Sequence, residues 1–205
     1  MITVYHMRGA RGIRILWTCE EMGLPYQVKP VQLRDSDPEF VALNPSRTVP
    51  VMVDGDAIIS ESVAATQYLA ARYGPTPLVV SPDEAGFADY LQFVMFGEAG
   101  LAAPMSTVVG VRLMGEEDSP PSAVHRFIID GFKRRMSQLE RQLADGREFL
   151  VGGRLTLADI SVTFPLGIAS GLLKLGEDII PSSVTAYRRR LYEREAFRRA
   201  AAQGR

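Results

Sequence analysis

At 205 residues and 46% hydrophobic content, the chain is long enough to bury one large core or two small ones. Its 23 Lys and Arg stand against 24 Asp and Glu, a formal charge of -1, which excludes the bulk basic field of a nucleic-acid binder. One cysteine excludes an internal disulfide, and the chain enters a strand pattern with no charged and apolar leader. No apolar run reads as membrane-spanning either, so the expectation is a cytoplasmic protein with neither a nucleic-acid nor a membrane partner.

Ile2-Thr3-Val4-Tyr5 has strand chemistry, and Ile13, Leu16 and Trp17 share one face of the next segment, which Gly23 stops ahead of Pro25. Tyr26 to Val31 reads as a second strand, and Asp37-Pro38 caps and starts a short helix through Leu43. Val51-Met52-Val53 and Ala57-Ile58-Ile59 form a hairpin about Asp54-Gly55-Asp56, and Glu61 to Tyr73 is helical until Gly74. The prolines between Gly74 and Pro82 mark a boundary: residues 1–76 form one domain, 77–82 a linker and 83–205 a helical domain.

In the second domain, Asp83 to Met114 is one long apolar helix with a kink at Pro104, and Gly115 to Pro121 is a loop. Ile128, Phe132, Met136, Leu139 and Leu143 then recur at helical spacing and make a core-facing stripe. Thr156 and Asp159 occupy N-cap and N3 positions, with Leu155 and Ile160 as staple residues. Arg188, Arg189, Arg190, Arg194, Arg198 and Arg199, interspersed with Glu193 and Glu195, read as a solvated helix face rather than an anion site.

Two short stretches carry chemistry. Val49-Pro50, within Thr48-Val49-Pro50-Val51, is an X-Pro bond at the start of a strand, where a cis form turns the preceding N–H and C=O outward. Such an edge pairs with an extended ligand. Glu61-Ser62 opens a helix whose free N–H groups suit a carboxylate, with Glu61 beside it for an ammonium. A small peptide with an α-amino acid head fits both.

These stretches resemble the glutathione-binding segment of the cytosolic glutathione S-transferases, as do Ala42-Leu43-Asn44-Pro45 before them. Leu16 to Tyr26 resembles that family's first helix and its exit, and Leu155-Thr156-Leu157-Ala158-Asp159-Ile160 the box opening a buried helix of its second domain. The resemblance implies an α/β plus all-α architecture: an N-terminal thioredoxin-like βαβαββα domain followed by an all-helical C-terminal domain. It implies a transferase conjugating glutathione, its co-substrate, to small apolar electrophiles, with no metal, as a homodimer active in detoxification. The electrophile pocket is expected between the domains, around Phe96, Glu98, Leu101, Met105, Val109 and Leu113. Val49 binds through its backbone, Pro50 fixes its geometry, and Glu61 and Ser62 hold the γ-glutamyl head. Thr48 stands where Lys or Gln is frequent, leaving Arg47 to meet the glycyl carboxylate.

Catalysis in that family lowers the glutathione thiol from about 8.5, and two pKa units correspond to about 2.7 kcal/mol of thiolate stabilisation. The usual serine falls here on Met7 and the usual cysteine on Arg11, and a thioether has no proton to donate. Tyr5, by its hydroxyl, and Arg11, by its guanidinium at the start of the first helix, are the candidate catalytic groups. Backbone N–H groups of Arg11 and Gly12 are a third source. His6 has no visible partner, and Cys19 lacks a Cys-x-x-Cys arrangement and reads as packing. The missing donors keep open a glutathione-binding or regulatory protein of the same fold with little catalysis, and a glutathione-dependent lyase, isomerase or peroxidase.

Overall fold

In the computed structural model, which describes residues 1–32, 37–113 and 122–203, strand β1 (Ile2–His6) is buried at all five positions. A strand covered on both faces belongs at the middle of its sheet, and the order is β2-β1-β3-β4. β2 (Tyr26–Pro30) runs parallel to β1 with Val28 beside Val4, while β3 (Val51–Asp54) runs antiparallel with Met52 beside Val4. β4 (Ala57–Ile59) completes the hairpin with β3. The parallel pair requires a crossover, supplied by α1 (Ile13–Met22), which ends where Gly23 turns to a φ of 64°.

Successive β1 side chains point to opposite faces. Tyr5 packs on Phe40 of α2 (Pro38–Leu43), ring centroids 5.7 Å apart, whereas His6 lies against Gly12 at the start of α1. Asp37 caps α2 by accepting from the N–H groups of Glu39 and Phe40. α3 (Ser62–Tyr73) follows the hairpin, so the βαβαββα order expected from the sequence is present.

Residues 80–191 form a separate, helical unit. α4 (Phe87–Met95) passes through a π-helical stretch (Phe96–Ala102) into α5 (Ala103–Leu113). Where a kink at Pro104 was expected, the helix widens: the π-helical stretch ends just ahead of Pro104, whose ring nitrogen cannot donate to the helical ladder. The helix starts later than Asp83, since the Glu84 carboxylate folds back onto the Ser81 N–H and hydroxyl. By length and composition the run Phe87–Arg112 could cross a membrane, contrary to the sequence expectation. It places Phe93, Val94, Leu101 and Met105 in the core, each 2% exposed or less. The loop expected at Gly115 to Pro121 lies outside the described residues.

α6 (Ala123–Gln142), capped by Ser122 accepting from the His125 N–H, buries Phe132, Met136 and Leu139 along the stripe read from the sequence, with Leu143 just beyond it. α7 (Leu157–Gly167), buried almost throughout, continues into a π-helical turn (Ile168–Leu172), and α8 (Ser182–Tyr192) follows. Asp159 on α7 is wholly buried. Its Oδ2 accepts from the Thr156 N–H at 2.8 Å and hydroxyl at 3.0 Å, and its Oδ1 from the Leu150 N–H and the Tyr187 hydroxyl, both at 2.8 Å. Burial raises the Asp159 pKa, while these four donors favour the anion.

The last helix, α9 (Glu195–Ala202), belongs with residues 1–79 and packs on α1. Trp17 meets Phe197 edge-on at 5.1 Å, and Arg194 forks onto the Glu21 carboxylate at 2.7 and 2.9 Å. Arg199 binds Glu20 at 2.7 Å, Arg188 the Ser170 hydroxyl, and Arg190 the carbonyls of Arg147 and Glu148. The C-terminal arginines are therefore largely engaged in specific contacts of the fold.

Candidate functional site

The segment between α2 and β3 is organised by Asn44, which is 6% exposed. Its side-chain N–H groups donate to the Thr48 carbonyl at 2.8 Å and hydroxyl at 3.1 Å, its side-chain oxygen accepts from the Ser46 N–H, and its backbone oxygen accepts from the Arg47 N–H at 2.9 Å. Arg47, exposed, is held at a φ of 55°, a left-handed conformation that costs a non-glycine residue about 1 kcal/mol. Such conformations persist where surroundings over-determine them. The Val49–Pro50 bond is cis. Val49 packs its side chain into the cluster of Tyr5, Phe40 and Val51, and Pro50 is buried beside it.

Two helix starts lie in the same unit. α1 and α3 begin without side-chain caps or acidic residues in their first turns, in contrast to α2. The start of α3 keeps the partial positive charge and donor groups that suit an anion, whereas at α1 the Ile13 and Arg14 N–H groups already donate to the Ala10 and Arg11 carbonyls, so that end offers mainly its positive dipole. Glu61 is exposed at the N-cap of α3; Ser62, the first helical residue, is 2% exposed and its Oγ accepts from Arg14 Nη1 on α1 at 3.1 Å. Arg14 is itself 1% exposed. Asn44 and Arg14 were not singled out in the sequence. The Asn-Pro dipeptide was a signal for the first, and an arginine amid the apolar run Ile13 to Trp17 for the second.

Among the candidate catalytic groups, the Tyr5 hydroxyl donates to Glu39 Oε1 at 2.7 Å and accepts from Lys29 Nζ at 3.2 Å. Burial raises its pKa above the usual phenol value, with the Glu39 bond adding to the rise. Arg11 is half-buried and immediately precedes Gly12, the N-cap of α1; Met7 is half-buried one residue after β1. Cys19 is fully buried and burial pushes its thiol up to about 12, too high for a reactive thiolate.

His6 is 3% exposed, and its Nδ1 has no hydrogen-bond partner among the described residues. A Cβ on Gly12 would lie 2.3 Å from that nitrogen, so only glycine lets α1 begin this close to β1. Burial lowers the His6 pKa from 6.5 to about 4. As pH falls the unfolded chain takes up this proton first, so the contribution of His6 is complete above pH 6.5 and declines toward pH 4, by about 3 kcal/mol in total. His6→Asn is expected to remove that part of the acid sensitivity. Urea-unfolding free energies that fall in parallel for variant and parent over this range would contradict it.

Comparison with known proteins is consistent along the chain. The sequence model of the glutathione S-transferase N-terminal domain matches residues 1–71, and that of the C-terminal domain residues 121–190. Glutathione S-transferase 3 of Zea mays is 30% identical over 154 residues, covering 72% of this chain and 68% of the relative. Among solved structures, a glutathione transferase family member from Pseudomonas fluorescens with two glutathione bound superposes with a TM-score of 0.84 at 26% identity, covering 98% of this chain and 92% of that one. A glutathione transferase from Phanerochaete chrysosporium with oxidised glutathione gives 0.81, also at 26%, over 97% and 92%.

Proposed function

We propose that this chain, which belongs to the glutathione S-transferase family, binds glutathione and conjugates it to small apolar electrophiles by stabilising the glutathione thiolate. The observation that carries the reading is the uncapped start of α3, where Glu61 and the buried Ser62 offer an acceptor for an ammonium and donors for a carboxylate side by side. Glutathione-bound members of the same family support it. In this reading the γ-glutamyl head lies on Glu61 and Ser62, and the cysteinyl backbone pairs with Val49 ahead of Pro50. Anchoring of the Val49 side chain leaves its peptide groups to the ligand. Arg47, adjoining Thr48 in the Asn44-built loop, meets the glycyl carboxylate. A homodimer, a cytoplasmic location and a role in detoxification belong to the same proposal.

The thiolate falls to Arg11 and the start of α1. Tyr5 directs its proton to Glu39 and packs beneath Val49, which makes it a support of the binding loop. A guanidinium keeps its charge at any relevant pH and favours the anionic sulfur, and the helix N-terminus adds to it. Arg11→Met is therefore expected to leave the glutathione Kd within about twofold while lowering kcat/KM for a chloronitrobenzene at least about tenfold, a hydrogen bond to a charged group being involved. Its pH profile moves toward the free thiol value of about 8.5. An unchanged profile removes Arg11 from the mechanism. Glutathione binding without any turnover by the parent protein favours the second reading, a binding or regulatory protein, which Met7 and Arg11 at the usual donor positions support.

A further inference from the structure

We propose that Arg14 is a positioning residue that fixes the Ser62 hydroxyl as a hydrogen-bond donor, and thereby makes the start of α3 selective for an ionised carboxylate. The inference rests on the functional reading above and concerns the α-carboxylate of the γ-glutamyl head.

A serine hydroxyl both donates and accepts, whereas a guanidinium only donates. Contact between Arg14 Nη1 and Ser62 Oγ at 3.1 Å therefore makes the serine oxygen the acceptor and leaves its one proton for another group. Elsewhere in this chain helical hydroxyls discharge that proton onto a main-chain carbonyl: Thr18 onto Arg14, Ser106 onto Ala102, Thr163 onto Asp159 and Ser170 onto Leu166 four residues back, Thr66 onto Val63 three back, and Ser161 onto Val94 of α4. Ser62 is the first residue of α3 and has no such helical carbonyl behind it. The backbone N–H groups of that first turn also only donate. Ser62 and the backbone N–H groups of that turn present donors, with the Glu61 carboxylate beside them left to the ammonium; donors match a carboxylate, an acceptor on both oxygens, and mismatch a carboxamide, half of which donates.

Arginine is rarely buried unless it is specifically engaged, yet Arg14 is 1% exposed and reaches across from α1 to a residue 48 positions later. Donation from a charged group also polarises the hydroxyl and strengthens the bond it gives in turn.

The test measures calorimetric affinity for glutathione, and for the glutathione analogue whose γ-glutamyl α-carboxylate is an amide. It compares the parent, Arg14→Met, Arg14→Lys, Ser62→Ala and the Arg14→Met/Ser62→Ala double variant. Arg14→Met is expected to weaken glutathione about tenfold or more, in the range for hydrogen bonds to charged groups. The double variant should be no weaker than Ser62→Ala alone, and Arg14→Lys, still a donor, should recover part of the loss. The amide analogue should bind the parent weakly and be indifferent to Arg14→Met. Additive losses, or equal losses for glutathione and the amide, would show a merely structural arginine and overturn the inference. If Arg14→Met fails to fold, Ser62→Ala with the two ligands decides: it must weaken glutathione and spare the amide, and an equal effect on both overturns the proposal. A parent protein that ignores glutathione overturns the functional reading itself, whereas a parent that binds alongside an Arg14→Met variant that binds equally well overturns only this inference.

Discussion

Replacing Asp159 with alanine is expected to cost about 3–5 kcal/mol, the range for breaking a buried charged network by removing one partner. The carboxylate takes four donors from three directions: the start of its own helix at Thr156, the preceding loop at Leu150, and α8 at Tyr187. Without it, two backbone N–H groups and two hydroxyls lose their acceptor in a place water does not reach, at about 1–3 kcal/mol each before relaxation. Since whole domains are stable by only about 5–15 kcal/mol, the helical unit should melt far below the parent. Asp159→Asn, nearly isosteric, should still be badly tolerated because its amide points two donors at donors. Tyr187→Phe, which removes one bond and leaves three, should cost about 1 kcal/mol. Melting of Asp159→Ala within a degree or two of the parent would show that the network is dispensable.

Gly97→Ala is expected to be comparably severe for a steric reason. An added Cβ would lie 2.3 Å from Ser161 Oγ and 2.5 and 2.6 Å from the Ser161 carbonyl carbon and oxygen. The last two are backbone atoms, so no rotamer change relieves them, and the stretch following α4 must separate from α7. That separation also breaks the 2.7 Å bond from Ser161 Oγ to the Val94 carbonyl. Overpacking of a core by one carbon costs about 1–3 kcal/mol where side chains give way, and more where backbone is struck. Combining Gly97→Ala with Ser161→Ala therefore should not restore the melting temperature. Full rescue by Ser161→Ala would mean that only the hydroxyl was in the way.

The sequence carried most of the fold because its punctuation was local. Gly23 ends α1, Asp37-Pro38 starts α2, and the Thr156–Asp159 pair marks the start of α7, each within a few residues of the group it satisfies. What stayed hidden depends on distant contacts. The amphipathic C-terminal helix shows an apolar face, but nothing in its pattern says that Phe197 meets Trp17 or that Arg194 pairs with Glu21, 173 residues away. The placement of α9 with the first unit follows from those contacts alone.

The candidate site divides in the same way. Glu61-Ser62 and Val49-Pro50 were legible as motifs, and the structure places the first at the start of α3 and the second ahead of β3. The partners of the Tyr5 hydroxyl were not legible, because an aromatic at a strand end says nothing of the Glu39 and Lys29 side chains that meet it. Asn44 and Arg14 act through neighbours, and such residues leave no spacing signature.

The most direct test of the central claim is the structure of this chain in complex with glutathione. The account predicts the γ-glutamyl carboxylate at the start of α3 against Ser62, the cysteinyl backbone along Val49, and the sulfur within about 3.5 Å of Arg11 or of the Gly12 N–H. Crystals that stay empty at millimolar glutathione would contradict it, as would a tripeptide bound away from Ser62 and Val49.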